Sequence, residues 1–535
     1  MMDFSRVITE TLIVPPGRYE IADQITVDVS GKLIIQPGVH LVFTSGGGIN
    51  VKGVLLAVGE DGGRIIFEGD HWRGIAFSGA CASGSKLEYA DFIGGKMGRP
   101  VCRLKETGRE RISFSHVSFR NLKNVAGWDP EDESGKGGAV RCDDSDTDFE
   151  YCVFADNSVE PNSDGGALYL RDASVNMLSC SFKHNSAGSQ GGVICSYGLR
   201  SALQFNNCVF EGNRAPSGGA LNVHYGEVQL TECRFISNAS KCGGAIANFE
   251  SSVSVRRCHF AGNSASSGAG GAVMCAACGR IDAENSMFMD NSAGSGGAID
   301  VGTEHGTLNL NQCKFTRNTA SGGEFSTGGA VHCECGSSQI LSCTFQANSA
   351  SFLGGAVFWV GTRPLLSGNV FDANSPDDCK GRGHAEACSD ENENPATRIT
   401  LAEMNAFRDA EIDGLLKIGW LRENVPMDLF KGLSRAQYRD LIAKIKAGLI
   451  EGIDRFLKKE GDPFLYASNL SKFCSDATTK RYVFKSIIEL DFVKDKDKAR
   501  ELSERISGLF GVYTYNFSAE RFTKKYGRRL EWADD

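Results

Sequence analysis

The chain predicts a mainly β solenoid followed by a small, mostly α-helical domain, and three observations carry that expectation. A Phe with an Asn three residues on recurs nine times: Phe154/Asn157, Phe182/Asn185, Phe210/Asn213, Phe235/Asn238, Phe260/Asn263, Phe288/Asn291, Phe315/Asn318, Phe345/Asn348 and Phe371/Asn374. A Gly-Gly-Ala-aliphatic phrase alternates with it, also nine times, from Gly137-Gly138-Ala139-Val140 to Gly354-Gly355-Ala356-Val357, with Val193 once in place of Ala. The Phe-to-Phe spacings of 28, 28, 25, 25, 28, 27, 30 and 26 residues are the signature of stacked repeats. Third, from Ile399 onward the apolar residues change to helical spacing.

The first hundred residues hold short apolar runs: Ile25–Val29, Leu33–Ile35, Val39–Phe43, Ile49–Val51, Ile65–Phe67 and Ile75–Phe77. Turn clusters such as Gln36-Pro37-Gly38 and Asp61-Gly62-Gly63 divide them. Short, β-branched runs between turn signals read as strands, and the spacing fits three strands per coil. Through Pro15-Pro16-Gly17-Arg18-Tyr19, the Ile35-Gln36-Pro37-Gly38 segment leading into Val39–Phe43, and Trp72-Arg73-Gly74-Ile75, the chain resembles right-handed parallel β-helix proteins. The resemblance implies a rod over residues 1–375 of about 14 coils, roughly 65 Å long at ~4.8 Å per coil. Its last coil needs a cap, because an open edge invites pairing.

Each position of the repeat has a physical reading. Residues two apart in a strand share a face, so Cys152 and Phe154 point inward and Val153 outward. Seven cysteines occupy that inner position, at 152, 180, 208, 233, 258, 313 and 343, with Ser286 and Asn369 in the other two copies. Repeat-locked Cys reads as a small buried hydrophobe with a free thiol. The Asn falls in a turn, where it tolerates left-handed geometry and forms a ladder between coils. The paired glycines permit a tight corner. This pairing of Gly-Gly-Ala-Ile with Phe-x-x-Asn resembles the passenger repeats of chlamydial polymorphic outer-membrane proteins over about residues 137–375. The resemblance implies a surface adhesin; those proteins also carry a leader and a C-terminal membrane barrel.

Charge is unevenly spread. Residues 1–390 hold 31 Lys/Arg and 42 Asp/Glu, a balance of −11; residues 391–535 hold 26 and 24, a balance of +2. An acidic rod argues against nucleic acid as its ligand, since phosphate binding needs a basic stripe. The start, Met1-Met2-Asp3-Phe4-Ser5-Arg6, lacks the pattern of a signal peptide, and no long apolar run predicts a membrane span. The expectation is a cytoplasmic protein.

Residues 376–398 read as a polar linker or cap, and 399–535 as the helical domain. Thr400-Leu-Ala-Glu403 and Ser434-Arg-Ala-Gln437 are capping boxes. Helical spacing then runs from Tyr438 to Leu457 and Gly461 ends it; Phe484–Phe492 and Ala499–Phe510 add helices. Phe430 to Leu457 is similar to small helical adaptor domains of bacterial conflict systems.

Candidate chemistry is sparse. Asp143-Asp144-Ser145-Asp146 is the one dense acidic cluster on the repeats and reads as a turn. Cys275/Cys278 and His332-Cys333-Glu334-Cys335 look metal-like, but two coils separate them, about 9.6 Å, too far for one tetrahedral zinc. Cys379, His384 and Cys388 form a better metal set, for zinc or a Cys379–Cys388 disulfide, against a plain linker with incidental cysteines. No nucleophile elbow, phosphate loop or HExxH is present. The nine histidines are scattered and suggest no triad. Lys524-Lys525-Tyr526-Gly527-Arg528-Arg529 reads as a solvated basic tail. The expected function is a non-enzymatic scaffold without cofactor, whose partners are proteins, in a bacterial defence or signalling system, with cleavage in the exposed 376–430 region. A carbohydrate-binding or adhesive β-helix is the alternative, and a polysaccharide-active enzyme the third reading. Function is expected where the repeat breaks, at outward positions and the insertions at 125–136 and 319–327.

Overall fold

The computed structural model describes residues 7–382 except 45, 95, 126–134, 267, 278, 303–305, 324–325 and 335–336, and then 397–417, 433–455, 473–474, 476–507 and 530–532. The chain divides into two compact units, residues 1–384 and 385–535.

The first unit is a β-solenoid whose strands pair in parallel. One sheet has fourteen strands, from Gly17–Ile21 to Val370–Asp372, and contains the Phe of every repeat. Phe154, Phe182 and Phe210 are direct register partners, as are Phe235, Phe260, Phe288, Phe315 and Phe345. Their rings stack nearly parallel, 4.7 Å apart between Phe235 and Phe260 and 4.8 Å between Phe288 and Phe315. Identical residues one strand spacing apart pack face to offset face, so the repeat period itself builds the core. A 25-stranded sheet forms the other long walls, and short strands such as Ser264–Ala265 make a third. The early strands follow the apolar runs closely: Val39–Phe43 is a strand, as are Lys32–Ile35 and Gly48–Val51.

The corners are more specific than expected. In each repeat the residue before the Asn, not the Asn itself, takes the left-handed conformation: Asp156 at φ 57°, Ser237 at 53°, Arg317 at 52°. A second such corner precedes the Cys, at Tyr151, Glu232 and Arg257. The Asn is instead fully buried from Asn157 to Asn348 and works through its amide. Asn238 Nδ2 donates to Phe210 O and to Asn263 Oδ1, both at 3.0 Å. Its own Oδ1 accepts from Asn213 N at 3.0 Å and Asn213 Nδ2 at 2.9 Å. The same pattern runs from Asn157 to Asn374.

In the Gly-Gly corner the first glycine has positive φ, 64° at Gly243. The second has another reason: a Cβ on Gly244 would fall on the carbonyl oxygen of Gly271 in the next coil. The column cysteines carry free thiols. Cys208 and Cys233 are pushed up to about 12, first by hydrogen bonding to the preceding thiol and then by burial. Thiols held protonated in a core are packing groups, not nucleophiles.

The segment expected as linker or cap begins as part of the rod. Cys379–Arg382 pairs with Val357–Val360, and Trp359 lies against Gly381, where there is no room for a side chain.

In the second unit, helices span Leu401–Lys417, Arg435–Asp454, Ala477–Ile488 and 496–507. Both capping boxes form: Glu403 accepts from Thr400 N at 2.8 Å, and Gln437 from Ser434 N at 2.9 Å. The third helix starts seven residues before Phe484 because Asp476 caps it, accepting from Thr478 N at 2.6 Å. Met404, Leu441, Ile445, Val483, Ile487 and Leu502 share one core. Gly448 and Gly452 let the second helix approach the third closely; a Cβ at either would lie 2.6 Å from a backbone atom of Val483 or Thr479. A short parallel pairing of Thr397–Ile399 with Leu530–Trp532 adds a strand element where only helix was expected.

Candidate functional site

The acidic cluster stands at a corner of the coil, as a turn reading expects: Asp144 takes the left-handed conformation at φ 47°, and the register with the preceding coil shifts on either side of Ser145. Asp143 to Asp146 lie within the strand Val140–Glu150, in register with Cys102–Ser115. At this corner the carboxylates are held by cations from their own strand and from other coils. Asp143 pairs with Arg141 at 2.7 Å and with Arg171 at 3.0 Å. Asp144 binds Arg200. Asp146 accepts from Ser174 N at 3.1 Å and lies 4.0 Å from Arg111, which also holds Asp148 at 2.8 Å. Carboxylates clamped in this way staple coils together and are poorly placed to move protons.

Cys275 and Cys333 occupy one inner column with Val301 between them, both buried. Cys278 and Cys335 lie outside the described residues. Cys379 pairs with Val357 in the last coil and packs partly against the core; His384 and Cys388 lie outside the described residues, as does the basic tail 524–529. Among the described residues no three His, Cys, Asp or Glu side chains gather as a metal site.

Polar and aromatic side chains gather instead on an outer seam that the repeat phrase conceals. The second and fourth residues after each Gly-Gly-Ala alternate with the core positions and stack coil upon coil; the second is mostly buried, as at Cys195, Asn222 and Ala247, and the fourth is half-buried from Arg171 to Ala276. The fourth position reads Asp143, Arg171, Tyr197, His224, Phe249 and Ala276 in register. Tyr197 and His224 stack at 4.4 Å, and His224 and Phe249 at 4.7 Å. Gln190, on the return loop, joins them: its Oε1 accepts from Tyr197 Oη at 2.7 Å and from His224 Nε2 at 2.9 Å. Nearby, burial raises the Asp164 carboxyl above its ordinary range, and burial likewise raises Tyr197. The sequence signal for this seam was the change of residue class at a fixed offset from each Gly-Gly pair.

Further along, three residues meet that showed no relation in sequence. His332 Nδ1 donates to Asp300 Oδ2 at 2.7 Å, and Ser295 Oγ donates to the same oxygen at 2.5 Å. The hydroxyl is bonded to the carboxylate rather than to the imidazole. A triad nucleophile needs the reverse order, so this group reads as a buried structural brace.

A polar face runs along the second strand of each coil, where Asp148, Asn176, Gln204 and Gln229 follow one another in register and, after Ser254, Asp282, Asn309 and Gln339 continue the line. Asn176 Nδ2 donates to Asp148 Oδ1 at 2.8 Å and Asn309 Nδ2 to Asp282 Oδ1 at 2.6 Å. A shallow groove crosses it, lined by Arg256, Asp282, Glu284, Asn309, Asn311 and Gln339.

The family model for a right handed beta helix region matches residues 139–345. No curated protein matches the chain. Among the described residues no helix is long and apolar enough to cross a membrane.

The seam makes one pH prediction. Burial lowers the pKa of His224 below its usual 6.5, so the fold favours the neutral ring. That contribution is complete above the ordinary value and is lost as pH falls below it toward the depressed one. His224→Phe, which places in this coil the residue of the next, should keep the stack and cost one hydrogen bond, about 1 kcal/mol. Thermal melts between about pH 7 and pH 5 should then fall less steeply than in wild type. His259, also lowered by burial, leaves a residual slope. Parallel profiles for variant and wild type would refute the assignment.

Proposed function

We propose that the chain is a non-enzymatic interaction scaffold in which the rod presents a protein-binding face and the helical unit engages a second protein as an adaptor. The observation that carries this is the continuous polar column from Asp148 through Gln204 and Gln229 to Gln339. A long, unbroken row of outward polar groups suits recognition of a surface better than enclosure of a small substrate. The clamped carboxylates at Asp143 to Asp146 support the same reading. We place the protein in a bacterial cytoplasmic defence or signalling system, where cleavage in the 376–430 region would separate the two units; 383–396 and 418–430 lie outside the described residues.

The second reading is a glycan-binding or adhesive rod. It draws on the groove at Asp282, Asn309 and Gln339, whose amides and carboxylates match sugar hydroxyls in donor and acceptor capacity. It also draws on the likeness to the chlamydial passenger repeats.

The test uses the full chain and a triple variant, Asn176→Lys, Gln204→Lys and Gln229→Lys. A protein retained from native lysate by wild type and lost by the variant is the expected result. Glycan-array binding with no retained protein would replace the first reading with the second.

A further inference from the structure

We propose that the outer seam binds a planar aromatic cation, seated as the next rung of the Tyr197–His224–Phe249 stack. Tyr197 and His224 lie within a run of near-parallel rings, at 11° and 8° to their neighbours, so His224 has both faces covered. Phe249 ends the run. Its register partner in the following coil is Ala276, and the ladder continues to Gly302, whose N–H donates to Cys275 O at 3.2 Å. Ring-bearing positions thus give way to two consecutive small residues. The column resumes at Glu334, one residue past Cys333, with its N–H donating to Val301 O at 2.7 Å.

Three strand intervals separate Phe249 from Glu334, about 14 Å at ~4.8 Å each. That interval accommodates a ring at stacking distance from Phe249 with a charged substituent reaching toward Glu334. The chemistry of the surroundings selects the ligand. The half-buried Met274 lies in the adjoining outward column, and thioethers contact ring edges favourably. Asp300, next in that column, is already held by Ser295 and His332. Glu334 is half-buried and forms no ion pair among the described residues. An aromatic ring with a positive group satisfies both the ring face that Ala276 leaves without an aromatic neighbour and this carboxylate; an aromatic anion meets the same carboxylate and is disfavoured.

The probe is tryptamine, compared with indole and indole-3-acetate, titrated against the full chain by calorimetry or ligand-observed NMR. The expected order is tryptamine tightest, indole weaker and indole-3-acetate weakest, with tryptamine in the millimolar range or below. Phe249→Leu should weaken tryptamine and indole alike by roughly tenfold, the scale of one aromatic contact. Glu334→Gln should bring tryptamine down to the level of indole and leave indole unchanged. Ala276→Phe fills the rung and should abolish binding; if that variant does not fold, the other two carry the test. Absence of tryptamine binding at millimolar concentration overturns the proposal. So does equal binding of indole-3-acetate, or wild-type affinity in Phe249→Leu.

Discussion

Gly244→Ala is expected to cost on the order of 4–5 kcal/mol, enough to prevent the rod from folding at ordinary temperature. The added methyl would occupy the position of the Gly271 carbonyl oxygen and lie 2.7 Å from Ser264 N. Both are backbone atoms, so no side-chain rotation relieves the clash. Relief requires neighbouring coils to part, yet Gly244 N donates to Gly270 O at 2.9 Å and Ala245 N to Ala272 O at 2.9 Å. Parting the coils therefore breaks the ladder on either side. Gly62→Ala is the matched control, because an added Cβ there meets nothing within 4 Å; its melting temperature should stay at the wild-type value. Equal melting temperatures for the two variants would show that the corner is softer than its geometry implies.

Asn238→Ala should cost about 3–9 kcal/mol, from two buried donors and an acceptor left unpaired at about 1–3 kcal/mol each. The donors are the backbone N–H and the amide of Asn213; the acceptor is Phe210 O. All three Asn residues at this point of the ladder, 213, 238 and 263, are fully buried, so water does not replace the lost partner without opening the turn. Asn374 sits in the last coil and is half-exposed. Asn374→Ala should cost about 1 kcal/mol, because solvent satisfies what it leaves. The pair can be measured by denaturant melts, with hydrogen exchange at Asn213 N as a local reporter. If the interior and terminal substitutions cost the same, the amide ladder is not what holds the turn.

The core was readable because its code is local and repeated. Cys, Phe and Asn recur at fixed offsets, and the alternation of strand faces assigns Phe154 inward without reference to any other part of the chain. The helices at Leu401 and Arg435 were readable for the same reason, since each capping box lies within four residues. The failures share a cause. Asp143 to Asp146 were legible as a turn, but not the cations that clamp them, because Arg111, Arg171 and Arg200 come from other coils. The left-handed corners at Tyr151, Glu232 and Arg257 carry no preferred residue, since the stacked backbone rather than the side chain imposes the geometry. Thr397–Ile399 finds its strand partner at Leu530–Trp532, a pairing that no local pattern announces. The outer seam was hidden for a different reason: a sequence repeat draws attention to what stays constant, and the seam consists of what varies.

The spacing between successive Phe residues ranges from 25 to 30, yet their rings remain 4.4 to 5.2 Å apart. Extra residues leave the wall as loops and do not lengthen the rod. Distance along the axis is therefore counted in coils, not in residues, and the molecule acts as a ruler whose graduations are set by hydrogen bonding. Two outward groups can be moved closer or farther apart only in whole steps, by losing or duplicating a complete repeat. Loop length remains free to vary at each step without disturbing the scale.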